Sequence, residues 1–225
     1  VLWIAVAAAL LLGASAAWAV AHFRQPAATV EGALRLEITP PDGGRFVSGG
    51  NLNSIALSPN GKTAAFVANV NGTTALWVRP LDGTTARLLP GTEGANSPFW
   101  SPDSKTVAFS AVGKLQRVEL AGGTPLAICE LPVLALGGAW GEDGYIIVGT
   151  LSAGLLRVPA TGGTPSPLTA LDASRNEAGH RWPQILPGGR VLYWVQSGKA
   201  EVSGIYASSR AKPTERVQLV ATSSG

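Results

Sequence analysis

Arg175-Asn176-Glu177-Ala178-Gly179-His180-Arg181-Trp182-Pro183 is the stretch of this 225-residue chain whose side chains are richest in chemistry. It brings two guanidiniums, a carboxylate, an imidazole and an indole together in one short segment, the combination a ligand or partner site uses. Arg175, Glu177, His180, Arg181 and Trp182 are therefore the candidate binding residues. A structural reading stands beside this one: Trp182 packs between neighbouring units and His180 hydrogen-bonds a neighbouring backbone.

Catalysis is harder to assemble. His180 is the sole candidate base, because the other histidine, His22, borders an apolar N-terminal run. No Gly-x-Ser-x-Gly elbow occurs, and no His-Glu-x-x-His or Cys-x-x-Cys metal spacing. Gly122-Gly123 and Gly162-Gly163 follow strand-like runs and precede no helix, so they read as hairpin turns rather than phosphate cradles. No catalytic residue, metal ligand or cofactor is assigned. Cys129 is alone, so no intrachain disulfide can form, and its apolar neighbours suit a small buried hydrophobe.

The elements that must position the 175–183 segment come from a repeat. Ser58-Pro59-Asn60-Gly61-Lys62-Thr63-Ala64-Ala65-Phe66 returns as Ser101-Pro102-Asp103-Ser104-Lys105-Thr106-Val107-Ala108-Phe109. Looser copies begin at Trp140-Gly141-Glu142-Asp143-Gly144 and Leu186-Pro187-Gly188-Gly189. A turn followed by an alternating apolar strand, recurring about every 40 to 45 residues, predicts a β-propeller. Each unit continues with a second strand into a Gly-rich turn and a short closing strand. Four short strands per unit, bounded by Gly, Pro, Asn or Asp, make one blade. Beyond the N-terminus no apolar residues recur at helical spacing, so the body reads as all-β.

Four blades are expected, over residues 51–91, 96–131, 136–172 and 180–222, with residues 34–39 as a lone strand before them. Ser58, Pro59, Asn60, Gly61, Ser101, Pro102 and Asp103 are assigned to turn structure. Proline presets φ, Asn or Asp bonds nearby amides, and Gly61 supplies a positive φ; at Ser104 either the same φ is adopted less comfortably or the turn type differs.

These runs resemble the WD40-like, TolB-type bacterial propeller repeat, an aromatic-Ser-Pro-Asp-Gly-Lys-x-apolar-Ala-Phe pattern. Residues 100–109 match it except at Ser104, and residues 58–66 match with Asn60 for Asp; the third and fourth units keep only turn and strand. The resemblance covers residues 34–225 and implies a propeller, not an activity, since the repeat occurs in transport accessories, peptidases and receptor kinases alike.

Residues 1–23 carry no Asp, Glu, Lys or Arg, with Trp3 and Trp18 near the ends. As a helix they rise about 35 Å, enough for a hydrocarbon core of about 30 Å, so they read as a membrane anchor followed by a tether over 24–33. A signal peptide cleaved after Ala14-Ser15-Ala16 or Ala17-Trp18-Ala19 is the competing reading. The flanking charge does not fix orientation, and Arg24 alone favours the C-terminal side inside, against an exported propeller. Val1 stands first and Met is absent, so the expectation is a membrane segment, a tether and the first four blades of a longer ring.

Charged residues make up 14% of the chain and hydrophobic ones 46%. The basic residues are scattered, with Arg210, Lys212 and Arg216 the nearest to a cluster, so nucleic acid is not an expected partner despite a pI near 9.3.

His180-Arg181-Trp182-Pro183, with the Leu186-Pro187 and Gly189-Arg190 that follow, resembles a passage of propellers attached to bacterial receptor-type serine/threonine kinases. That implies a sensor module outside the inner membrane, single-pass, binding a protein or small ligand at the propeller mouth, with any kinase domain upstream. Two alternatives stay open: the substrate-gating propeller of a prolyl-oligopeptidase-like peptidase, or a TolB-like periplasmic scaffold.

Overall fold

The computed structural model describes residues 36–47 and 54–222. The expected anchor and tether, residues 1–33, lie outside the described residues, and among those described no helix is long and apolar enough to cross a membrane. The chain divides into Val1–Ile38 and Thr39–Gly225. In the first unit, residues 36–38 form no regular element; every described strand belongs to the second.

That unit is all-β, with short 3-10 turns as its only helical elements among the described residues. Blade 1 comprises β1 (Gly44–Phe46), β2 (Ile55–Leu57), β3 (Thr63–Val70), β4 (Thr73–Pro80) and β5 (Arg87–Leu88). Blade 2 comprises β6 (Asn96–Trp100), β7 (Thr106–Ala111), β8 (Lys114–Glu119) and β9 (Leu126–Glu130). Blade 3 has β10 (Ala135–Trp140), β11 (Tyr145–Thr150), β12 (Leu156–Pro159) and β13 (Ser166–Pro167), and blade 4 has β14 (Glu177–Leu186), β15 (Arg190–Ser197), β16 (Gly204–Ser209) and β17 (Arg216–Ala221). Each sheet is antiparallel with strands in chain order, except that β1 and β2 share one edge of β3. The strand expected over 34–39 is not present at the described residues 36–39. Pro40 and Pro41 lack the N–H a ladder needs, and pairing begins at Gly44 instead.

The repeated turns are built as their residue types predict. Ser58 Oγ accepts the Thr63 N–H at 2.9 Å and donates to Asn60 Oδ1 at 2.7 Å, which also accepts the Lys62 N–H. Ser101, Asp103, Lys105 and Thr106 repeat these bonds one blade later. The Ser101 hydroxyl and the Lys105 N–H hold the Asp103 carboxyl below its ordinary value. Ser104 takes φ 62° where Gly61 has 69°, and its hydroxyl accepts the Asn60 N–H at 3.1 Å, joining the two turns.

Strand alternation packs the blades. Val107 and Phe109, Ile146 and Val148, and Val191 and Tyr193 face the preceding blade; Ala65 and Val67, Ala108, and Ile147 face the following one. Each large apolar side chain buried this way stabilises by about 1.5–3 kcal/mol. Blades pack 1 on 2, 2 on 3 and 3 on 4, and no extensive packing joins blade 4 to blade 1 among the described strands.

The inner strands of blades 2, 3 and 4 each break register, and each break carries a left-handed residue: Ser97 (φ 50°), Gly137 (φ 83°) and Trp182 (φ 48°). These bulges bring the inner strands together. A Cβ at Gly149 would lie 2.8 Å from the Trp182 nitrogen, and one at Gly137 only 3.1 Å from Trp182 Cα.

Candidate functional site

The 175–183 segment enters blade 4 through a 3-10 turn, Ala173–Arg175, capped by Asp172, whose carboxylate accepts the Ser174 N–H. Asn176, at φ 53°, ends the turn and starts β14 at Glu177. Two register shifts along β14 then send the candidate side chains in different directions.

Glu177 and His180 turn into the contact with blade 3, and both side chains are wholly buried. The Glu177 carboxylate accepts Arg216 Nη2 at 2.6 Å, Arg216 Nη1 at 3.1 Å, the Asp172 N–H at 2.9 Å and Arg175 Nε at 3.2 Å. His180 Nε2 stands 3.2 Å from Glu177, and Nδ1 stands 2.7 Å from the Thr169 hydroxyl, which itself accepts the Leu155 N–H at 2.8 Å. One tautomer satisfies all of this: Nε2–H donates to Glu177 and Nδ1 accepts from Thr169. Arg175 also donates to the Tyr206 hydroxyl, which donates to the Val202 carbonyl at 2.8 Å.

Electrostatics fix the charges. Burial pushes the Glu177 carboxyl up, but the Arg216 hydrogen bond, the Asp172 N–H and the Arg216 charge outweigh it and hold the group below its ordinary value. Burial depresses His180 more than the Glu177 hydrogen bond and charge raise it, so the imidazole is neutral at neutral pH. Burial opposes the charge of Arg216, yet its bonds to Glu177 raise it above its ordinary value.

Thr169, His180 and Glu177 thus stand in the order hydroxyl, imidazole, carboxylate, the order of a proton relay. Here the hydroxyl is anchored to a blade 3 amide, the ring is enclosed, and the carboxylate is already charge-paired. The His180 N–H also donates to the Ala153 carbonyl at 3.0 Å. The arrangement is a brace between blades 3 and 4.

The other two candidates lie elsewhere. Arg181, on the opposite face of β14, has Nη1 3.4 Å from Gln196 Oε1, and burial depresses its ionisation. Trp182 packs toward the glycines of blade 3 and tilts against Trp194, ring centroids 6.4 Å apart. Sequence reading missed Thr169 and the reach of Arg216. Arg210, Lys212 and Arg216 do not cluster in function: Arg210 pairs with Asp143, Lys212 with Glu215 and Arg216 with Glu177.

A second concave feature lies at the far end of the inner strands. Trp100 pairs with Val107 beside the 101–104 turn, and Trp140 pairs with Ile146 likewise, so this cleft opens at the end opposite Glu177. Its volume is about 440 Å³, and all four blades line it, through exposed Ile55 and Leu57, Phe99 and Trp100, Trp140, and Pro183–Ile185. Among the described residues no lining side chain is charged. Trp100 is fixed by donating Nε1–H to the Ala56 carbonyl at 3.0 Å. Among the described residues no group of His, Cys, Asp and Glu is placed to hold a metal.

This geometry defines a β-propeller, and comparison with solved structures agrees. The chain is similar to a structure described as putative TolB from Agrobacterium tumefaciens, with TM-score 0.64 and 17% identity over 75% of this chain and 65% of that one. It is similar also to TolB from Acinetobacter baumannii, with TM-score 0.56 and 18% identity over 74% of this chain and 43% of that one. The propeller domain of the Trilobed protease from Pyrococcus furiosus, described as having an open velcro topology, matches with TM-score 0.52 and 16% identity over 75% of this chain and 58% of that one. The chain thus spans less than two thirds of the length of each of these relatives. At such identities the likeness is one of fold. No protein-family model matches the chain, and no curated protein does.

Proposed function

We propose that this propeller is a binding module and that its ligand occupies the axial cleft at the turn end. One observation carries this: four inner strands converge on a concave, uncharged surface that leaves Ile55 and Leu57 exposed beside Trp100 and Trp140. Concave surfaces that combine apolar side chains with fixed polar groups are the usual form of a ligand site, and here exposed backbone polar groups stand beside the apolar side chains. The polar groups of the 175–183 segment serve the fold, so the ligand is an uncharged small molecule or an apolar protein segment. The propeller itself performs no chemistry. To test this, apolar peptides selected on the full chain are titrated against wild type and Ile55→Glu; unchanged affinity in the variant contradicts the site.

The setting we propose is a single-pass inner-membrane protein, anchored through residues 1–23, with the propeller outside and a bacterial serine/threonine kinase upstream. The charge-free apolar run and the resemblance of residues 180–190 to kinase-attached propellers support it. A phosphatase reporter fused after Gly225 is expected to be active only outside the cytoplasm; activity confined to the cytoplasm contradicts that orientation. A hydrolase encoded downstream would favour a peptidase gate instead.

A further inference from the structure

The end of the propeller opposite the axial cleft carries a residue that folding alone does not favour. The β3–β4 hairpin turns on Asn71-Gly72 with φ 52° and 85°, and the β7–β8 hairpin turns on Val112-Gly113 with φ 50° and 72°. Asn and Gly are the residues such a turn selects. Valine is not, because in left-handed backbone its branched Cβ crowds the following carbonyl. Burial offers no recompense: Val112 is 87% exposed.

Its neighbours are aliphatic and exposed as well. The Leu131 N–H donates to the Gly113 carbonyl at 2.7 Å, tying the hairpin tip to the 131–134 loop, and the Leu151 N–H donates to the Leu134 carbonyl at 2.9 Å. Val112, Leu134 (50% exposed) and Leu151 (36% exposed) therefore belong to one hydrogen-bonded stretch of surface across blades 2 and 3. Behind Val112 and Leu134 lies a cleft of about 440 Å³ whose wall includes Pro132, Val133 and Asn96. The Asn96 amide oxygen is occupied by the Ser110 hydroxyl, which leaves its N–H groups to a ligand carbonyl.

The geometry points to this ridge as a docking site for a short aliphatic segment of a protein partner, distinct from the axial cleft. The cleft holds a few side chains and the wall offers one amide donor, which suits a peptide. Three exposed aliphatic residues fall well short of the roughly 800 Å² per partner of a stable dimer, which argues against a second copy. The surrounding charge argues against an anionic bilayer: Lys114 is paired with Glu130 at 3.1 Å, and the acidic Glu93 precedes Gly94, where an added Cβ would lie 3.9 Å from Val112.

Linear peptides displayed at random are selected on the immobilised full chain, and those enriched are titrated by fluorescence polarisation. The expected result is Leu-, Ile- or Val-rich peptides that lose at least tenfold in affinity with Val112→Asn and with Leu134→Gln. They keep their affinity with Ile55→Glu, so failure of the axial cleft and failure of this ridge are told apart. Val112→Asn restores the preferred turn and is expected to melt at or above the wild-type temperature, so its loss of binding is not unfolding. The proposal is overturned if no Val112-dependent peptide is enriched. It is equally overturned if Val112→Asn instead abolishes a concentration-dependent dimer in sedimentation, or flotation with phosphatidylcholine–phosphatidylglycerol vesicles.

Discussion

Arg216, on the outermost strand of blade 4, reaches across the sheet to place its guanidinium 2.6 Å from the carboxylate of Glu177, at the head of the innermost strand. The pair spans the face that blade 4 turns toward blade 3, with the Arg216 guanidinium over the Tyr206 ring. It links the two edges of one sheet and, through His180 and Thr169, links that sheet to the next.

Breaking this pair on one side is expected to be severe. Glu177→Gln leaves two guanidiniums around a neutral amide in a buried place, and the loss is about 3 kcal/mol by analogy with other buried pairs. Arg216→Met strands the carboxylate and costs a similar amount. Denaturant unfolding of both single variants and the double variant gives the coupling, and strict additivity would mean that the two residues do not act together.

Acid sensitivity follows from the same cluster. His180 titrates lower in the folded chain than its ordinary value of 6.5, so the unfolded chain takes up its proton first as pH falls. The stability it contributes is complete above that value and is lost as pH drops below it. Glu177, also lowered, adds a loss of the same sign below its ordinary value of 4.5. Unfolding midpoints between pH 7.5 and 5 are expected to decline in wild type and to decline less in His180→Gln. Parallel slopes would remove His180 from the account.

Much of this architecture is legible in the repeat. Ser58 and Ser101 announce their turns because every bond they make lies within five residues, and local chemistry writes itself into local sequence. At Ser104 the sequence leaves open a positive φ or a different turn type, and the structure shows the positive φ. The brace is not readable. Glu177 and Arg216 are separated by most of a blade, and Thr169 belongs to the blade before. Which way Arg181 and Trp182 point depends on a register break whose left-handed residue is a tryptophan, a type that signals no bulge. The β1 strand escaped notice because it completes the edge of β3 beside β2, where one inner strand is the rule.

Close backbone approach at the bulges makes a further prediction. Gly149→Ala puts a methyl 2.5 Å from the Leu136 carbonyl oxygen and 2.8 Å from Pro183 Cδ. Moving β11 away from β10 and β14 to admit it costs about 2 kcal/mol, within the usual range for overpacking. Thermal melting reads this directly, and a neutral result would mean that blades 3 and 4 are less tightly apposed at the axis.

The central claim is that binding belongs to the axial cleft while the 175–183 segment serves the fold. The most direct measurement titrates one ligand, an apolar peptide selected on the wild-type chain for sensitivity to Ile55→Glu, against Leu57→Arg and His180→Gln. Both variants are first shown to be folded at the temperature used. The account predicts that Leu57→Arg, which puts a charge into an uncharged cleft, weakens the peptide at least tenfold and that His180→Gln leaves its affinity unchanged. Loss of binding in His180→Gln with Leu57→Arg unaffected would contradict it and return the site to the segment that holds Glu177 and His180.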